Sequence, residues 1–106
     1  MAGFSRYAKD VTNAVRELAA LVTEYNYPIP DGTTKLKFQN RAGNIIRYAF
    51  VTGKVATPTD PYFTLKADGV WYENDLNFYG KTLYLAGTNA GDVVEIESFQ
   101  KWLNGD

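Results

Sequence analysis

The chain has 106 residues and a formal net charge of −1, from 11 Lys+Arg against 12 Asp+Glu. It contains no Cys and no His, but eight Tyr, six Phe and two Trp. One domain is expected at this length, and the composition excludes disulfide frameworks, thiolate zinc sites and mechanisms that need a thiol or an imidazole. The near-neutral balance argues against a nucleic-acid partner, which normally calls for a basic excess. No apolar run approaches the roughly 20 residues that cross a bilayer, so no membrane association is expected. The first residues, Met1-Ala2-Gly3-Phe4-Ser5-Arg6, lack the pattern of a secretory signal.

The N-terminal 27 residues hold one glycine and no proline. Apolar residues recur at Phe4, Ala8, Val11, Val15, Leu18, Val22 and Tyr25, with alternating gaps of four and three. That spacing predicts an amphipathic helix from Phe4 to Tyr25 with a heptad seam. A helix of this length spans about 33 Å. A strand of five or six residues spans only about 17–20 Å. Part of the apolar stripe would therefore need a partner. These seven residues are the expected oligomer or partner interface, in a dimer or a trimer.

Pro28 and Pro30 followed by Asp31-Gly32 mark a boundary at 28–32, because each proline removes a donor and biases the preceding residue away from helix. The segment 33–106 reads as strands and turns. Lys35-Leu36-Lys37-Phe38 alternates polar and apolar, and Asn40 to Asn44 is a turn. Strands are expected at Ile45 to Val51, Tyr62 to Lys66, Val70 to Glu73, Lys81 to Ala86 and Val93 to Phe99, separated by glycine- and proline-containing turns. Trp102 and Leu103 would then cover one open end. The expected fold class is α+β: an N-terminal helix (1–27) ahead of a small antiparallel β-sandwich or barrel (33–106). The charge is split along the chain, with +3 on residues 1–53 and −4 on residues 54–106.

Chemistry-bearing patterns are sparse. Gly80-Lys81-Thr82 ends like a phosphate-binding loop, but Asp75 stands where that motif needs a glycine. Glu95 and Glu97 share one strand face, the arrangement that paired carboxylates of a glycosidase need, but Val94 and Ile96 supply the apolar face and leave the glutamates to water. Glu73, Asn74 and Asp75 offer oxygen ligands without the spacing of a calcium loop. No His is present to activate a Ser or Thr. No catalytic residue, metal or cofactor is expected, and the protein reads as non-enzymatic. Trp71 and Tyr72 are consecutive, so one faces in and the other out. Either could stack on a sugar or a peptide, or both could serve the core and its rim.

Five segments carry a resemblance: Arg47-Tyr48-Ala49-Phe50, Tyr62 to Ala67, Val70 to Glu73, Gly80 to Leu85, and Ala90 to Glu97. Together they resemble the small β-sandwich virion proteins of tailed bacteriophages, over about residues 33–102. The resemblance implies a head decoration, head fibre or tail-associated subunit that is non-enzymatic and homo-oligomeric. It would contact other virion proteins, reside in the virion and be assembled in the host cytoplasm. An alternative is a carbohydrate- or peptide-binding β-sandwich module that uses Trp71 or Tyr72.

Overall fold

The computed structural model describes residues 10–74 and 77–100. Eight strands run in chain order: β1 (Asp10–Leu18), β2 (Tyr25–Pro28), β3 (Thr33–Asn40), β4 (Ile46–Ala49), β5 (Phe63–Leu65), β6 (Val70–Glu73), β7 (Thr82–Gly87) and β8 (Asp92–Gln100). They form two four-stranded antiparallel sheets, ordered β1-β8-β3-β6 (sheet A) and β2-β7-β4-β5 (sheet B). Strand 1 pairs with 8, 2 with 7, 3 with 6 and 4 with 5, as in one long hairpin with its tip at β4–β5 wound into two layers. This is the jelly-roll order.

The expected N-terminal helix is therefore corrected. No helix occurs among the described residues, and the fold is all-β rather than α+β. Phe4 and Ala8 lie outside the described residues, as do Trp102 and Leu103. Residues 10–18 are an edge strand of sheet A, and Tyr25 opens an edge strand of sheet B. The physical reason lies in the spacing. A gap of four keeps two residues on one side of a helix and also on one side of a strand, because four is a multiple of the strand period. Val11 and Val15 satisfy both readings. Leu18, three residues on, turns to the opposite face of the strand and is wholly buried between the sheets. β-Branched Val11, Thr12 and Val15 suit a pleated strand, and β8 offers a partner along the whole length of β1.

The interior is filled by alternate residues of both sheets. Leu18, Leu36, Phe38, Val94 and Ile96 from sheet A meet Tyr27, Ile46, Leu83 and Leu85 from sheet B. Phe38 stacks on Trp71 at 5.0 Å and meets Tyr48 edge-on at 5.2 Å. Burial raises the pKa of the Tyr48 phenol above its usual value.

Polar ties close both sides of the sandwich. On one side, the Arg16 guanidinium lies 5.1 Å from the centroid of the Tyr27 ring, and the Tyr27 and Ser98 hydroxyls are 3.0 Å apart. On the other, buried Asn40 donates from Nδ2 to the carbonyls of Asn44, Leu65 and Lys66 at 2.7, 3.0 and 3.0 Å. Its Oδ1 accepts the Ala42 amide at 2.8 Å.

Turn chemistry follows the sequence signals. Gly80 has φ 71° and precedes β7, so Gly80-Lys81-Thr82 enters a strand rather than a helix. Gly87 packs so closely that an added Cβ would lie 2.9 Å from Asp92 Oδ2. That oxygen accepts from the Thr88 and Asn89 amides and from Asn44 Nδ2, which pins the β7–β8 turn to the β3–β4 loop.

Candidate functional site

The two sheets differ in what lies on their outer faces. Outward-facing Ala49 and Ala86 of sheet B are buried beneath the segment that links β4 to β5. Val55 of that segment is wholly buried against them, flanked by Tyr62 and Tyr84. Arg47 Nε donates to the Val55 carbonyl at 2.8 Å and holds the segment down. Farther along, the Glu24 carboxylate accepts from Thr52 Oγ1 at 2.6 Å and from the Gly53 amide at 2.8 Å.

Sheet A has no such cover among the described residues. Its outer face is laid out by register in three rows: Val11, Phe99 and Lys35; Asn13, Glu97, Lys37 and Tyr72; and Val15, Glu95, Gln39 and Val70. Directly opposite residues share a face, so each row is a line of neighbouring side chains. Val11, Val15, Val70 and Tyr72 are each about half exposed. Lys37 lies 3.6 Å from Glu97 and Arg41 lies 2.6 Å from Glu95, so both glutamates are ion-paired on a solvated surface. A shallow depression of about 280 Å³ runs between β1 and β3 over β8. Nine-residue strands make this face about 30 Å long.

The expected seam is not brought together. Val11 and Val15 face out from sheet A, Leu18 is in the core, and Val22 is exposed in the β1–β2 loop with φ 53°. Tyr25 packs against the core, and its hydroxyl accepts the Ala20 amide at 2.9 Å. The pair Trp71 and Tyr72 splits by strand alternation. Trp71 turns inward onto Phe38 and lies 5.6 Å from Phe50, whereas Tyr72 faces out beside Lys37.

Trp71 also lines an apolar cleft of about 340 Å³ with Phe50, Val51, Asn77, Phe78 and Lys81. The cleft was not legible in sequence, because its residues come from three separate stretches of chain. Among the described residues, no group of three or more acidic or imidazole side chains is placed to hold a metal ion.

No family model and no curated protein sequence matches this chain. Among solved structures, it is similar to a de novo designed double-stranded β-helix determined by solution NMR, with a TM-score of 0.51 and 11% identity. The match covers 87% of this chain and all of the designed one. At that identity the likeness concerns the fold alone. A double-stranded β-helix is the wound-hairpin arrangement described above, reached through a different sequence.

Proposed function

We propose that this protein is a non-enzymatic structural subunit that works by assembling through sheet A. The observation that carries this reading is the contrast between the outer faces. One is sealed by the chain's own β4–β5 segment. The other leaves half-exposed valines and a tyrosine on a long sheet. A tailed-bacteriophage particle is the setting proposed for it, on the strand-text resemblance and on the recurrence of the jelly roll in viral capsid domains. Light scattering from micromolar to several hundred micromolar tests the assembly reading. The expected mass is a multiple of 11.9 kDa; a monomer throughout would overturn it. Mass spectrometry of purified particles from the source tests the setting, which fails if the chain is absent from them.

A second reading, a carbohydrate- or peptide-binding module, is favoured by the cleft beside Trp71. A glycan array and a peptide array read it. Signal that is lost in Lys81→Ala would support the cleft as the site, and no signal on either array would remove the reading.

A further inference from the structure

The four sheet edges are not alike. β2 is four residues long and ends in Pro28, β5 has three residues, and β6 has four. Short strands and prolines are standard ways of blunting an edge against pairing. β1 has nine residues, contains no proline, glycine or lysine, and lies at the end of its sheet. Among the described residues, no strand pairs with its outer edge. We propose that β1 pairs antiparallel with β1 of a second copy of this chain, about a two-fold axis at Asn13, joining two A sheets into one. This rests on the assembly reading above and places the contact at the edge of sheet A, leaving its outer face open.

The strand's own text selects the register. Only even shifts keep outward residues on the outward face, so few registers compete. Centring on Asn13 sets Val11 opposite the second copy's Val15, and Asn13 opposite itself. Thr12 then meets Ala14. Two Val–Val pairs and an amide pair thus form along the outer face, the types of cross-strand neighbour that stabilise a sheet. Centring on Ala14 instead sets Val11 against Glu17 and Val15 against Asn13. Centring on Thr12 sets Val11 against Asn13. A two-fold makes the contact isologous and closed, so one self-complementary strand yields a dimer and not a fibre.

The absence of cysteine makes the test clean. Residues directly opposite in an antiparallel pair have Cα atoms about 4.5–5.5 Å apart, inside the window of roughly 4.4–6.8 Å that a disulfide needs. Under mild oxidation Asn13→Cys is expected to give a covalent dimer. Val11→Cys and Val15→Cys alone are not, because each lies four residues, about 13 Å along the strand, from its own copy. A mixture of Val11→Cys and Val15→Cys, one carrying a size tag, is expected to give the tagged–untagged dimer. All three positions are exposed on the outer face, and matching circular dichroism spectra check the fold. In the unaltered protein, hydrogen exchange of β1 amides is expected to slow as concentration rises.

If light scattering gives an oligomer but Asn13→Cys stays uncrosslinked and β1 exchange is independent of concentration, this interface is wrong and the assembly reading stands. If Val15→Cys alone crosslinks as well as Asn13→Cys, the register is wrong. A monomer at every concentration with no crosslink removes both.

Discussion

The two outer faces of this sandwich end in different states. Val55, in the β4–β5 segment that lies over sheet B, is fully buried, while Val15 on the outer face of sheet A is 56% exposed. Sheet B presents small Ala49 and Ala86 beneath a segment of chain that folds back over them, and among the described residues sheet A has no such segment. The segment between β4 and β5 reaches across sheet B, helped by the Arg47 bond to its backbone. The described turns at β1, β8 and β3 are short, and among the described residues none folds over the outer face of sheet A. A sheet face that the described chain leaves uncovered is a surface for something else.

That contrast can be broken from the inside. Leu18 and Val15 stand three residues apart on β1, one in the core and one outside. Leu18→Asp buries an unpaired charge and is expected to cost on the order of 4 kcal/mol or more, enough to abolish cooperative melting. It would act on folding, not on assembly alone. In the dissociated protein Val15→Asp should cost no more than about 1 kcal/mol, mainly through repulsion from Glu95 opposite it, and a melt as damaged as that of Leu18→Asp would contradict the outward placement.

Next in size is Asn40→Ala. It strips the donor from three backbone carbonyls and the acceptor from the Ala42 amide. A loss of about 3 kcal/mol is expected in urea unfolding, from buried groups left unpaired. A loss below about 1 kcal/mol would mean that water replaces the amide there.

The faces are compared most directly by one truncation made twice. Val55→Ala should cost about 2 kcal/mol through lost burial and a residual cavity. Val15→Ala should stay within about 0.5 kcal/mol in the dissociated protein, as exposed substitutions do. Equal effects would erase the proposed distinction between the faces.

The smallest effect expected is a gain. Val22 is a β-branched residue at φ 53°, a region that disfavours such side chains. Val22→Asn should stabilise by about 0.5–1 kcal/mol, since Asn tolerates the left-handed region. A loss on thermal melting would show that Val22 makes contacts that outweigh its backbone strain.

Much of the β architecture is legible in the residues. Alternation in Lys35-Leu36-Lys37-Phe38 and in Val93 to Phe99 marks β3 and β8, and turn residues separate the elements between them. The first strand is ambiguous in sequence because gaps of four fit both periods, and nothing local distinguishes Leu18 as a core residue from Leu18 as a seam residue. The candidate face was only half legible. The intervening Val94 and Ile96 put Glu95 and Glu97 toward water, but their partners, Lys37 in β3 and Arg41 just after it, lie more than 50 residues away in sequence.

By itself, the sequence determined that the chain lacks thiol and imidazole chemistry, where most strands and turns lie, and that Trp71 and Tyr72 point opposite ways. Only the tertiary structure decided that residues 10–18 form a strand, which member of that aromatic pair enters the core, and which sheet face the β4–β5 segment covers. The physical reason is range. Alternation, proline and glycine act over a few residues, whereas β1 is held by β8 some 80 residues away, and local propensity yields to the partner that satisfies its backbone and buries Leu18.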